Sequence, residues 1–332
     1  MNPNEINGII NVLKPPGMTS HDVINYLRWR MRVKKAGHTG TLDPGVAGVL
    51  PVCLGKATKV IEYMNEEVKI YRAEVTFGRV TDTQDGFGQT LQIKDASNLA
   101  ETEVIDLLNR LVGETHQVPP MVSAIKYKGR KLYELARQGI EIQRIPRSIT
   151  IHEVNIIKSS GFGSPDPVVL FDIKCSRGTY VRTICHDLGQ QLGYGAFMSF
   201  LVRTGTGPFQ ISQALTLEEI SHIFESGRIQ EVILPLERAL PLTAVLVTDQ
   251  AVSPVLHGNC VDQAKLVTVP DGIQENQLVK LINQQAGCLA VGKVHFEPED
   301  GRFDEKSDEN PVVNSNAKVT GRMVIQPVKV FG

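Results

Sequence analysis

Apolar positions along the chain recur with two periods, and the switches between them mark out strands and helices. Residues 8–13 (GIINVL) form a short apolar run stopped by Lys14-Pro15-Pro16-Gly17, which predicts a strand entering a turn. Thr19 or Ser20 then caps a helix whose apolar stripe is Val23, Ile24, Leu27 and Met31. Residues 68–77 (VKIYRAEVTF) alternate, so Tyr71, Ala73, Val75 and Phe77 share one face of a strand. Residues 101–112 return to the helical period through Val104, Leu107, Leu108 and Leu111, with Gly113 as the stop. A second short helix is predicted from Lys131 to Gln138, ending at Gly139. The stretch 149–183 reads as strand-rich, with VVLFDIKC as a buried strand and with Tyr180 and Arg182 on one face of a further strand. Ile184, Leu188 and Leu192 mark a helix that stops at Gly193, and Thr216-Leu-Glu-Glu219 is a capping box opening another.

Strands and helices are interspersed without a repeating βαβ period, which predicts an α+β fold with a mixed, largely antiparallel sheet over residues 1–240. The two prolines of 234–241 make the best boundary. Residues 241–332 are short strands separated by turn signals (HGN, PDG, EDG), the pattern of a small β-barrel domain. Within it, residues 297–310 (EPEDGRFDEKSDEN) are acidic and nearly devoid of large apolar groups, so a mobile loop is expected there. No internal repeat is present.

A chain of 332 residues, 42% of them hydrophobic, is long enough for two cored domains. The formal net charge of −1 gives no overall pull toward a polyanion, but the distribution does. Residues 1–240 carry 27 Lys and Arg against 25 Asp and Glu; residues 241–332 carry 8 against 11. The positive charges cluster at 28–35 (RWRMRVKK), at 126–131 (KYKGRK), and at Arg144 and Arg147. Each cluster by itself also fits a solvated face. The five cysteines show no CxxC and no paired spacing, which argues against a zinc site or a disulfide framework and for a reducing compartment. The first residues lack a signal-peptide pattern and no apolar run approaches membrane-spanning length, so a cytoplasmic protein without a membrane segment is expected.

The most unusual chemistry lies in 37–59, GHTGTLDPGVAGVLPVCLGKATK, which surrounds one carboxylate with five glycines. Asp-Pro restricts Asp43 to extended or turn geometry, the glycines let backbone approach closely, and Leu42 with the VAGVLPVCL run can anchor the loop in a core. A tight turn capped by Asp43 would explain an isolated Asp-Pro pair; with His38, Thr39, Thr41 and four glycines around it, a functional carboxylate is the better reading. GKAT at 55–58 is not a phosphate loop, because Ala57 stands where Ser or Thr should follow the lysine and Leu50 where the first glycine should be. No activated Ser or Cys nucleophile, second catalytic acid or metal-ligand cluster accompanies Asp43.

The same stretch resembles the catalytic motif of the tRNA pseudouridine synthase B family, bacterial type. The resemblance extends in order through VLKPPGMTSHDV (12–23), KIYRAEVTFGRVTDTQDGFG (69–88), PPMVSAIKYKGRKLYELARQGIE (119–141), CSRGTYVRTICHDLG (175–189) and FLVRTGTGPF (200–209). The C-terminal part is similar, more weakly, to a PUA-like RNA-binding domain, through AGCLAVGKV at 286–294 and GRMVIQPVKVF at 321–331. The resemblance implies an isomerase that turns the T-loop uridine of tRNA (position 55) into pseudouridine without cofactor or metal. The glycosidic bond to N1 breaks, the uracil rotates, and a carbon–carbon bond forms to C5. It implies Asp43 as the catalytic carboxylate acting on a flipped-out nucleotide, with the glycines making room for it. Attack on the base, attack on the sugar carbon and removal of a sugar proton all remain open.

On the same footing, Tyr71 would stack on the uracil and handle a proton, and Arg182 would pair with Asp43 and orient it, with Tyr180 alongside. Leu201 would wall the pocket, and His38 would take the place of, or stack on, a base displaced as the RNA loop opens. Lys14 and Lys59 would be phosphate or structural contacts. The 119–147 insertion, with Lys126, Arg130, Arg144 and Arg147, would clamp RNA backbone and order on binding. The run 28–35 would lie along the same RNA, or be only a basic helix end. Val202 stands where many members carry a second basic residue, which removes one phosphate contact. The partner implied is the tRNA T-stem-loop, with no obligatory protein partner and a monomeric enzyme. The insertion, which supplies its own RNA grip, favours a stand-alone enzyme over a guide-RNA-dependent one. A tRNA-binding or folding factor in which catalysis is secondary is the alternative, because the same residues would serve both.

Overall fold

Thr19 starts the first helix as the reading of its capping pattern predicts. Its hydroxyl accepts from the Asp22 amide while the Asp22 carboxylate accepts from the Thr19 amide, and the helix runs Ser20–Met31 with Val23, Ile24, Leu27 and Met31 buried. This computed structural model describes residues 6–64, 68–297 and 322–331. Of the acidic 297–310 segment, all but Glu297 lies outside the described residues.

A nine-stranded sheet forms the body of the first part. Its main path runs Gly8–Lys14, Ala47–Leu54, Ala196–Thr206, Lys69–Phe77, Val168–Cys175, Arg147–Ser160 and Gly113–Gln117, with Ala36–His38 and Phe209–Gln210 paired off it. All pairings are antiparallel except that of Ala196–Thr206 with Ala47–Leu54, where Val202 lies opposite Ala47 and Arg203 opposite Gly48. One apolar cluster gathers Ala73, Val75, Phe77, Phe171 and the helix residues Ile184 and Leu188. A second gathers Ile10, Val12, Leu50 and the helix residues Val23, Leu27 and Ile220. Tyr71 and Leu201 pack against both clusters, so they sit where the two cores meet.

The stretch around Tyr180 and Arg182 corrects the strand expected there. Tyr180 is the N-cap and Arg182 belongs to the helix Val181–Leu192, after a turn in which Gly178 has a φ of 80°. The apolar spacing Val181, Ile184, Cys185 and Leu188 is helical and buries all four against the first cluster, and that burial outweighs the strand reading of Tyr180 and Arg182. Gly193, at φ 78°, ends the helix. The insertion is folded as a small hairpin (Lys126–Tyr127 with Arg130–Lys131) followed by the helix Leu132–Ala136.

Residues 243–330 contribute a six-stranded sheet that curls into a half-barrel, with Val261–Asp262 and Leu266–Thr268 as its edge strands. A third set of buried residues joins it to the first sheet: Ile9, Val49, Cys53 and Val60 pack with Leu240, Val291 and Phe331. Across this seam Lys59 donates to the Val330 carbonyl at 2.9 Å and Lys329 pairs with Glu62 at 2.7 Å.

Candidate active site

The loop that carries Asp43 is fixed residue by residue. The Leu42 amide donates to the Ser20 hydroxyl (2.9 Å), and that hydroxyl donates to the Leu42 carbonyl (3.2 Å). The Asp43 carbonyl accepts from Val46, and the Pro44 carbonyl accepts from Gly17 and from the Lys14 ammonium (3.2 Å). Leu42 and Val46 are buried on either side. The carboxylate between them stays 47% exposed and faces a cavity of about 390 Å³, near the small end of ordinary ligand pockets.

Arg182, only 4% exposed, forms an ion pair with Asp43 through one guanidinium nitrogen and donates to the Val122 carbonyl through another. The same guanidinium lies 3.8 Å from Asp85 and 5.5 Å over the Tyr180 ring. Asp85 is itself held by the Thr83 hydroxyl (2.6 Å) and the Phe87 amide (3.0 Å). Arg182 is thus a buried cation between two carboxylates, a geometry in which a planar guanidinium holds an anion in one orientation.

Tyr71 and Leu201 line the cavity. Burial raises the Tyr71 phenol above its ordinary value, so it stays neutral; the adjacent Arg203 charge partly opposes the shift. Arg203 is the largest fully buried side chain among the described residues, 1% exposed, and donates to the carbonyls of Val49 (2.7 Å) and Gly40 (3.2 Å). Tyr180 also lines the cavity; burial raises its phenol, and the neighbouring Ser123 of the insertion and the Arg182 charge oppose that. The Gln117 side chain clasps the Tyr180 backbone with two bonds, 3.0 and 2.8 Å, at the root of the insertion. Ser123 and Ala124 complete that wall.

The structure brings Asp43, Tyr71, Tyr180, Arg182 and Leu201 together at one cavity. It places other candidates elsewhere. Lys14 is buried behind the loop on the carbonyls of Pro15 and Pro44, so of its two expected roles it takes the structural one. Burial pulls its pKa down to about 8, against the opposing pull of the Asp43 charge. Lys59 takes the structural role at the seam between the sheets. His38 is half-buried on Ala36–His38, outside the cavity lining, and burial, then Arg203 and His21, keep its imidazole toward the neutral form. Lys126 and Arg130 are exposed on the insertion hairpin.

Sequence reasoning missed Asp85, Arg203 and Lys69. Lys69 lines the cavity and donates to Thr206 at 2.8 Å. All three lie in or beside the quoted motifs, but nothing in one sequence marks which charged residue folds inward. The role given to the glycines also needs correction. A Cβ on Gly37 would meet Ile61 at 2.7 Å, on Gly45 the Phe87 ring at 2.2 Å, and on Gly48 the Arg203 backbone at 2.3 Å. Those positions make room for the protein's own atoms. Only Gly40, which lines the cavity and has Arg203 at 3.5 Å, leaves space on the pocket side.

Two family models match consecutive parts of the chain: the N-terminal domain of TruB family pseudouridylate synthases over residues 28–181, and the C-terminal domain of tRNA pseudouridylate synthase B over 182–241. The chain is 52% identical over 256 residues to tRNA pseudouridine synthase B of Symbiobacterium thermophilum, covering 77% of this chain and 83% of that protein. It is 47% identical over 296 residues to the same enzyme of Pelotomaculum thermopropionicum, covering 89% and 93%. Among solved structures, an H/ACA RNP bound to a substrate RNA containing 2′-deoxyuridine matches with a TM-score of 0.70 at 28% identity, covering 98% of this chain and 85% of that one.

Proposed function

The chain belongs to the TruB family of pseudouridylate synthases and is a tRNA pseudouridine synthase, and from that premise we propose that it isomerises the T-loop uridine at position 55 of tRNA through Asp43. The observation that carries this reading is the pairing of a half-exposed carboxylate with a buried guanidinium at a cavity of about 390 Å³ that reaches Tyr71 and Leu201. The target nucleotide leaves its stack and enters this cavity. Leu201 and the Tyr71 ring give the uracil an apolar and a stacking surface, and the neutral Tyr71 hydroxyl is a hydrogen-bond partner for a proton in transit. Arg182 holds Asp43 at the glycosidic centre. The N1–C1′ bond breaks and a C5–C1′ bond forms; a proton leaves C5 and one is gained at N1, so substrate and product are isomers.

Residues 1–240 carry the catalysis and residues 241–332 add a PUA-like RNA-contacting unit. Lys126 and Arg130 on the insertion hairpin meet RNA phosphates, while Val122 and Ser123 at its root close on Arg182 and Tyr180. His38 stands outside the cavity lining, on the short strand that leads into the Asp43 loop, where it would meet the opened RNA loop rather than the target base. The insertion gives the enzyme its own grip on the T-stem-loop.

Incubating the purified protein with unmodified tRNA transcript, and mapping pseudouridine by carbodiimide adduct and primer extension, tests the assignment: a stop at the T-loop uridine is expected, and product at a different site would overturn the target. Asp43→Asn should lower product formation by at least about 1000-fold with tRNA affinity retained within a few-fold. Undiminished turnover by that variant would remove the carboxylate from the chemistry, and tRNA binding without product by the intact protein would leave a binding factor as the alternative.

A further inference from the structure

Phe87 is 77% exposed, yet its ring is seated. A Cβ on Gly45 would meet the ring atoms Cε2 and Cζ at 2.2 and 2.4 Å, so the edge of the phenyl lies directly on the Gly45 backbone. Gly45 falls between Asp43 and Val46, both of which line the cavity. From the other side, the Phe87 amide donates to one oxygen of Asp85 (3.0 Å), whose second oxygen faces Arg182 (3.8 Å). The turn is pinned further by the Gly86 amide on the Met198 carbonyl (3.0 Å) and by the Thr81 hydroxyl on the Asp85 carbonyl (2.8 Å).

The ring is therefore held in fixed register with the Asp43–Arg182 pair, at the rim of the cavity, with most of its surface in solvent. Hydrophobic burial does not explain it, because little of the ring is buried. A uridine drawn into the cavity brings its unpaired neighbours across this rim. A pre-positioned aromatic face suits such a neighbour, since every base presents a π surface.

We infer that Phe87 is a stacking platform for an unpaired base flanking the target uridine, a positioning residue outside the chemical step. The inference rests on the pseudouridine synthase reading above. The ring fixes the incoming strand against the loop of Asp43, so its contribution falls on substrate capture.

The test compares the intact enzyme with Phe87→Ala, Phe87→Leu and Phe87→Trp in single-turnover assays on a T-arm stem-loop. The same RNA is also made with one abasic residue at each unpaired position beside the target. Phe87→Ala and Phe87→Leu should raise the half-saturating concentration roughly 5- to 100-fold while the saturating rate stays within about threefold, and Phe87→Trp should restore capture. On one of the abasic RNAs the wild type should lose as much as Phe87→Ala loses on intact RNA, and the variant should show no further penalty there. The inference is overturned if Phe87→Ala or Phe87→Leu matches the wild type, or if the Phe87→Ala penalty is the same on every abasic RNA, as a role confined to seating Gly45 requires. A wild type that modifies tRNA but not the T-loop uridine overturns the target assignment instead, and the two failures are distinct.

Discussion

Lys14 illustrates how much of this site is held by charges taken out of water. It is fully buried and its ammonium holds the carbonyls of Pro15 and Pro44, the second of them directly after Asp43. Its folded pKa of about 8 lies below the ordinary 10.5, chiefly through burial. Carrying the charged form into the fold therefore opposes folding fully below pH 8, and that opposition fades as pH rises toward 10.5. A shift of this size corresponds to at most about 3 kcal/mol. Urea midpoints should accordingly rise from pH 7.5 to 9.5 in the wild type relative to Lys14→Met, whose curve lacks this contribution. Parallel curves for the two proteins would show that the amine does not titrate as the fold implies. Arg203 is buried for a related purpose, but a guanidinium keeps its charge, so it holds the Val49 and Gly40 carbonyls opposite Tyr71 at every working pH.

At the scale of elements, the Asp43 loop is a segment whose glycines have different jobs. Gly48 has φ 126° and its missing Cβ would lie 2.3 Å from the Arg203 carbonyl oxygen on the neighbouring parallel strand. Gly48→Ala should destabilise the protein by roughly 2–4 kcal/mol, visible as a lower thermal midpoint. Gly40→Ala has ordinary contacts at 3.5 Å or more, so its midpoint should stay close to wild type while its methyl intrudes on the cavity and raises KM. Equal midpoints for the two variants would contradict this division. The loop, its motif and its single carboxylate were legible in the sequence because Asp-Pro and glycine constrain backbone locally. Which atoms each glycine admits was not, because those atoms come from Phe87, Ile61 and Arg203, far along the chain. The misread segment at Tyr180 has the same origin: two residues at spacing two fit a strand face, and only the packing of Val181, Ile184, Cys185 and Leu188 makes the helix win.

Across the whole molecule, the two sheets share a core. Phe331, near the C-terminus, is buried among Ile9, Val49 and Leu240, and Lys59 donates to the Val330 carbonyl. The C-terminal half-barrel is thus braced against the strands Gly8–Lys14 and Ala47–Leu54, the second of which leaves the Asp43 loop. Phe331→Ala should lower stability by about 3–5 kcal/mol, with loss of pseudouridine formation on warming in step with unfolding of the C-terminal sheet. Lys59→Met should lower the thermal midpoint while leaving tRNA affinity at low salt within twofold. A selective loss of affinity in Lys59→Met would return that lysine to the RNA surface.

The sequence by itself determined the local elements apart from the segment at Tyr180 and Arg182, the α+β class with its C-terminal β unit, the family, and the candidates Asp43, Tyr71, Tyr180, Arg182 and Leu201. These follow from periodicity, backbone restriction and ordered motifs, all properties of residues close in the chain. Tertiary structure alone decided that Asp85 and Asp43 flank one guanidinium, that Arg203 rather than solvent meets Tyr71, and that Lys14 and Lys59 face inward. A charged side chain reads the same in sequence whether it meets water or a buried partner; the difference is set by residues distant along the chain, which only the packed fold brings near.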